Sequence, residues 1–271
     1  MKNDANYLIE YRFQGSSKHD IREMILHLTN KFHLHYAQPR KPVPHISLVG
    51  GFSTTNEKQL VKDFTSYCAA TPFCRFTVKG FSYFDTTRVI FIDIKPDDTL
   101  KQFRWNLSRC LAKYCSLKGF DYREDFAFHA TLALHLEEND FFRVKRYIDN
   151  QPEPQFTHYV LRATLLRNGK IFYEYDFLQR RLLNRNEALD KRELTRTFHL
   201  LDEFFKGNYN PDSKLRRQGY PIVQKHDEFS KGNYDPNSNL RRQDYTNVQM
   251  HDSEGIIHKI VHFFKSILHR T

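Results

Sequence analysis

Two tetrapeptides combine residue types that can do chemistry: His45-Ile46-Ser47-Leu48 and His129-Ala130-Thr131-Leu132. Each places a hydroxyl two residues after a histidine. In an extended chain, residues i and i+2 face the same side, so each imidazole projects beside its own hydroxyl. Histidine gives and takes protons near neutral pH, and two of them facing one another can divide a reaction. One ring takes a proton from water or a hydroxyl while the other returns one to a leaving oxygen. The hydroxyls of Ser47 and Thr131 can donate hydrogen bonds to phosphoryl oxygens, where charge builds in the transition state. The chain holds 14 histidines, so one His-x-Thr alone would carry little weight. The ordinary alternative is two strand histidines satisfied by neighbouring hydroxyls. What favours chemistry is their recurrence at matching places in a doubled pattern.

That pattern comes from the elements that must position them. Tyr7 to Phe13 is a short β-rich run, and Ile21, Met24, Ile25, Leu28 and Phe32 mark a helix over roughly Asp20 to Phe32. A proline-stiffened loop, Arg40 to Pro44, leads into a strand His45 to Val49, which Gly50-Gly51 is expected to break. A second helix covers roughly Glu57 to Cys68. Strands Arg75 to Phe84 and Arg88 to Ile94 follow, then a helix over roughly Thr99 to Leu117. The second histidine lies in a strand Phe126 to Leu134, followed by a helix Glu137 to Ile148. Strands Thr157 to Leu166 and Lys170 to Leu178 flank Asn168-Gly169, a dipeptide suited to a tight hairpin. The expected fold is α+β: two pseudo-symmetric lobes of mainly antiparallel sheet, with outer helices around a central groove and a C-terminal helical or flexible tail.

Composition bounds the rest. The chain has 271 residues, 39% hydrophobic and 15% aromatic, which is enough to bury a core and excludes wholesale disorder. No apolar run is long enough for a spanning helix, and the N-terminal MKNDANYLIEYRF lacks the apolar core of a secretory signal, so the expected location is cytoplasmic. Cys68, Cys74, Cys110 and Cys115 form no C-x-x-C pair and are expected as free thiols in a reducing compartment. A net charge of +10 favours polyanionic partners such as nucleic acid, nucleotides or an anionic membrane. No metal cluster has recognisable ligand spacing, no Gly-rich phosphate loop of the G-x-x-x-x-G-K kind is present, and no cofactor is expected.

The two motifs, the Gly50-Gly51 pair and the closing segment YVLRATLLRNGKIFYEYDF together resemble the two-histidine (2H) phosphoesterase superfamily, in its RNA 2′,3′-cyclic phosphodiesterase or 2′-5′ RNA ligase branch. The resemblance spans about Tyr7 to Leu178. It implies His45 and His129 as the catalytic pair and Ser47 and Thr131 as phosphate-binding hydroxyls. One departure stands out: relatives often carry a basic residue after the second motif, where this chain has Leu134 followed by His135. Arg40, Lys41 and Tyr83 are further candidate substrate contacts. Phe84, Phe126 and Phe128 are candidates for stacking a base, although aromatic residues in strands more often serve the core.

The activity implied is metal-independent opening of a 2′,3′-cyclic phosphate on RNA or an oligonucleotide to a 2′-phosphate. The alternatives are hydrolysis of 2′-5′-linked or cyclic signalling oligonucleotides, or a non-catalytic RNA-binding groove. A 2H domain over residues 1–183 is expected to carry the chemistry without the tail. A connecting helix at 184–206 follows. A polar repeat of period 25 occupies 202–245, with DEFFKGNYNPDSKLRRQGY at Asp202 to Tyr220 and DEFSKGNYDPNSNLRRQDY at Asp227 to Tyr245. An amphipathic helix at 253–270 closes the chain. Its apolar face is expected to dock on the lobes or pair with a second chain, and with less weight to lie on a membrane surface.

Overall fold

The computed structural model describes residues 5–34, 42–213 and 215. Among these residues, two antiparallel sheets hold nine strands. Strand β1 (Asn6–Arg12) leads into α1 (Gly15–Phe32), then β2 (His45–Ser53) and α2 (Glu57–Ala70). Next come β3 (Arg75–Phe84), β4 (Val89–Pro96), α3 (Asp98–Leu111), β5 (His129–Ala133) and α4 (Glu138–Asp149). The chain closes with β6 (Gln155–Tyr159), β7 (Arg162–Arg167), β8 (Lys170–Asp176), β9 (Arg181–Asn184), α5 (Arg185–Leu189) and α6 (Lys191–Phe205). One sheet runs β2-β1-β7-β8-β9 and the other β5-β4-β3-β6. The doubled pattern is real. A strand, helix, histidine strand and helix (β1, α1, β2, α2) recur as β4, α3, β5, α4, and in both cases the histidine strand pairs with the strand before it.

The halves interlock. Helix α1 packs on β5 and α4, while α3 packs on α2 and β2, so each helix touches the other half's histidine strand. Between the sheets, Tyr11 and Phe13 meet Phe76 and His158, with the Tyr11 and Phe76 ring centres 5.5 Å apart and those of Phe13 and His158 6.0 Å apart. Such pairs add about 0.5–1.5 kcal/mol each beyond burial. All four cysteines are free, and Cys68, Cys74 and Cys115 are buried.

Several boundaries differ from the sequence expectation. Helix α1 starts at Gly15 rather than Asp20; Gln14 offers no side-chain cap that could mark the start. Strand β2 runs through Gly50-Gly51 to Ser53 instead of breaking there. A Cβ on Gly50 would lie 2.6 Å from the Phe120 ring, so glycine admits a close neighbour within an intact strand. Helix α3 ends at Leu111, and β5 begins only at His129. The run Thr157 to Leu166 is two strands in different sheets. The fully buried pair Val160 and Leu161 carries the chain from β6 to β7. The connecting helix expected at 184–206 is divided at Asp190, whose side chain accepts from Arg192 N and caps α6. Arg40, Lys41, most of the polar repeat and the 253–270 helix lie outside the described residues. No helix among the described residues is long and apolar enough to cross a membrane.

Candidate active site

Strands β2 and β5 are the terminal strands of their sheets, and they pack against one another. In both, the histidine and the hydroxyl are half-buried while the residues between and after them are buried: Ile46 and Leu48 in one, Ala130 and Leu132 in the other. The i, i+2 rule therefore holds in both strands, and each His–hydroxyl pair shares a face.

The two rings are held by one device. His45 Nδ1 lies 2.9 Å from the carbonyl oxygen of Val43, and His129 Nδ1 lies 2.8 Å from that of Ala127. A carbonyl only accepts, so Nδ1 of each ring carries the proton and donates it. On both rings, Nε2 is then the nitrogen free to work. The rings sense each other, since the charge of His45 disfavours protonation of His129.

Their surroundings differ. His45 stands opposite Arg12 on β1, and Ser47 stands opposite Glu10. The Glu10 carboxylate is 2% exposed; Oε1 accepts from Arg12 Nε, and Oε2 lies 3.8 Å from His45 Nε2. His129 instead meets aromatic rings, Phe84 edge-on at 5.2 Å and Phe91 at 5.1 Å. Asp93, opposite His129, pairs with Lys95 at 2.9 Å. Burial lowers the His129 pKa below the ordinary imidazole value; the Ala127 carbonyl opposes this and His45 adds to it. His129 is thus biased toward the neutral ring that accepts a proton.

Arg104 ties the two strands together. This fully buried side chain donates from Nε to Leu48 O on β2, and from Nη1 and Nη2 to Arg123 O and Phe120 O in the segment before β5. Nη2 also pairs with Asp121 Oδ1 at 3.3 Å, which accepts from Gly50 N at 3.1 Å. The guanidinium lies over the Phe126 ring, 4.0 Å from its centre.

On the β1 side Glu10 stands opposite Thr164 on β7, which stands opposite Glu174 on β8, and all three are buried. Thr164 Oγ1 donates to Glu174 Oε1 at 2.9 Å, and Arg162 bonds both Glu174 and Asp176. Helix α6 completes this network. The fully buried Thr197 accepts from Arg162 Nη2 at 2.8 Å and donates to Asp176 Oδ2.

His45, Ser47, His129 and Thr131 are therefore brought to one place. Tyr83 is not: its hydroxyl donates to Asp149 on α4 and its ring packs edge-on against Phe141. Its neighbour Phe84 takes the position beside His129. Phe126 and Phe128 pack on each other edge to face at 5.2 Å, with Phe128 buried. Sequence reasoning passed over Glu10 and Arg12. The available signal was their spacing of two in Glu10-Tyr11-Arg12, which puts two charges on one face of a strand. Among the described residues, no three His, Cys, Asp or Glu side chains converge to hold a metal ion.

The chain is similar in sequence to a described family and in shape to several solved proteins. The model of the 2′-5′ RNA ligase superfamily matches residues 16–170, more than half of the chain. A phosphoesterase of known crystal structure is 20% identical, with a TM-score of 0.43 over 67% of this chain and 94% of that one. E. coli LigT complexed with 3′-AMP is 17% identical, with a TM-score of 0.38 over 67% of this chain and 93% of that one. Kluyveromyces marxianus Usb1 with uridine monophosphate is 11% identical, with a TM-score of 0.33 over 62% and 96%. No curated protein sequence matches. The match over residues 16–170, which takes in both His-x-(Ser/Thr) motifs, makes this chain a member of the 2′-5′ RNA ligase superfamily.

Proposed function

We propose that the protein opens a 2′,3′-cyclic phosphate at an RNA or oligonucleotide end to a 2′-phosphate, by acid–base catalysis with His45 and His129. Water attacks phosphorus and gives its proton to Nε2 of His129. The bond from phosphorus to the 3′ oxygen breaks, and Nε2 of His45 supplies the proton to that oxygen. The observation that carries this reading is the shared fixation of both Nδ1 atoms on main-chain carbonyls, which leaves Nε2 as the working nitrogen of each ring. The order of roles follows the surroundings. The apolar side of the site favours a neutral base, and Glu10 stands where a protonated His45 would pair with it. Ser47 and Thr131 hold the phosphoryl oxygens as charge builds on them. Two imidazoles and two hydroxyls suffice for the reaction without a metal.

The test is turnover of a 2′,3′-cyclic nucleotide by purified protein in EDTA, with identification of the product. A 2′-phosphate is expected, and His45→Ala and His129→Ala are each expected to lower turnover by roughly 10²–10⁴ while the protein stays folded. Dependence on an added divalent ion, or near-normal turnover in either folded variant, would overturn the assignment. A 3′-phosphate product would reverse the order of the two histidines.

A further inference from the structure

Three cations stand on the His45 side of the site. Arg12 is opposite His45 on β1, and Lys18 and Arg22 follow on α1, four residues apart and so on one helix face. All three are half-buried. Arg12 gives Nε to Glu10, and its two terminal nitrogens make no hydrogen bond among the described residues. Arg22 uses Nε to bond Pro42 O at 2.9 Å, in the segment that leads into β2. The Lys18 ammonium has neither an ion pair nor a hydrogen bond among the described residues, while its main-chain N donates to Gln14 O.

The three charges form one group. Burial is the first reason the Lys18 pKa is lowered; repulsion from Arg22 and then Arg12 adds to it, and Glu174 opposes. Like charges four residues apart destabilise a helix, and an anion seated between them reverses that cost. The opposite side of the site is different in kind. Strand β5, with sequence His-Ala-Thr-Leu-Ala, carries no lysine or arginine, and Phe84 and Phe91 flank its histidine.

We propose that Arg12, Lys18 and Arg22 form a second phosphate subsite, beside the reacting phosphate on the His45 side, which holds the neighbouring phosphodiester of an oligonucleotide. The substrate is then an oligonucleotide end in preference to a mononucleotide. This rests on the reading of His45 and His129 given above. Arg12 lies nearest the reacting centre, and the cations of α1 extend the positive surface away from it along the path of the strand. A backbone contact of this kind is blind to base identity and weakens with salt.

The experiment compares kcat/KM for a 2′,3′-cyclic mononucleotide and for a trinucleotide RNA ending in the same cyclic phosphate, in the full-length protein and in Lys18→Gln/Arg22→Gln. The wild type is expected to prefer the trinucleotide by about tenfold or more, with the preference shrinking as salt rises. In the double variant the preference falls toward unity, because trinucleotide turnover drops much further than mononucleotide turnover. No preference in the wild type, or a preference that survives the double substitution, overturns the subsite. If the double variant folds poorly by circular dichroism, Lys18→Gln alone serves, with a partial loss of preference expected. If the wild type turns over neither substrate, it is the reading of the histidine pair that fails. The subsite is then judged by binding of a 5′-labelled RNA trinucleotide. About tenfold weaker binding in the variant upholds it, and equal binding overturns it.

Discussion

Glu10 Oε2 lies 3.8 Å from Nε2 of His45, while the other oxygen of the same carboxylate accepts from Arg12. One buried negative charge thus stands between the ring proposed as the acid and the cation beside it. Glu10→Gln keeps the shape and removes the charge. The expected result is a fall of about tenfold in kcat/KM on a 2′,3′-cyclic nucleotide, as for loss of one charged hydrogen-bond partner. Initial rates within twofold of wild type would show that this charge does not act on the reaction.

His129 must be neutral to accept a proton. Its pKa is lowered from the ordinary 6.5, chiefly by burial. As pH falls through 6.5, most of the ring therefore stays neutral, and the acidic limb of the rate profile is expected below that pH. Phe84→Ala opens the ring to water and moves the limb upward. Rates measured from pH 4.5 to 8 decide this, and a limb at or above 6.5 in the wild type contradicts the assignment of His129 as base.

Ser47→Ala and Thr131→Val each remove one donor to the phosphoryl oxygens. Each change is expected to cost about 1–3 kcal/mol of transition-state stabilisation. The rate loss is roughly 5- to 150-fold, and for each hydroxyl it is expected to stay below that of the histidine on the same strand. Single-turnover rates provide the check, and a loss as large as that of the histidine variants would give the hydroxyl a larger part than charge stabilisation.

Thr197 joins α6 to the buried Arg162 and Asp176. Thr197→Val leaves both short of a partner and is expected to lower stability by about 1–3 kcal/mol, read by urea denaturation. Shortening the chain after Leu183 removes Thr197 together with the Ala188 carbonyl that accepts from Arg162 Nη1 at 3.3 Å. Such a chain is expected to retain turnover of a small cyclic nucleotide but to unfold at lower denaturant than one ending after Leu215.

His158 sits against Tyr11, Phe13 and Phe76 with Nε2 buried and unpartnered, and burial lowers its pKa from 6.5 to about 4. The unfolded chain binds this proton more tightly than the folded one. The contribution to stability is complete above pH 6.5, declines as pH falls, and is gone below about 4. Its size is at most about 3 kcal/mol, since part of the residue still meets water. Thermal melts of wild type and His158→Phe across this range test it: the variant is expected to lose less stability toward acid.

The histidine pair was legible because two signals agreed, the i, i+2 spacing of ring and hydroxyl and the recurrence of the motif in a doubled order of elements. The α+β architecture was legible for a related reason, since strand and helix periods alternated clearly up to α4. Glu10 and Arg12 were not, because within an apolar strand two charges look like its solvent side; only the neighbouring strand shows that this side faces His45 and Ser47. The passage from β6 to β7 was hidden by Val160 and Leu161. Two successive buried residues break the alternation of a strand without any glycine or proline to mark a turn. Strand β9, four residues long, is too short for a period to emerge.

An edge strand exposes unpaired amide and carbonyl groups and invites pairing with another chain. This protein has the two strands of its histidine motifs at sheet edges and packs them against one another, while Arg104 and Asp121 bond Leu48 O and Gly50 N of β2 and Ser53 bridges to Ser116. These contacts leave less of the two edges for another chain to pair with. Any partial unfolding that parts the two sheets would uncover them together, so the first surface offered for aggregation would be the one that carries His45 and His129. Arg104, which bonds Leu48 on one strand and the segment leading to the other, is the restraint against that opening.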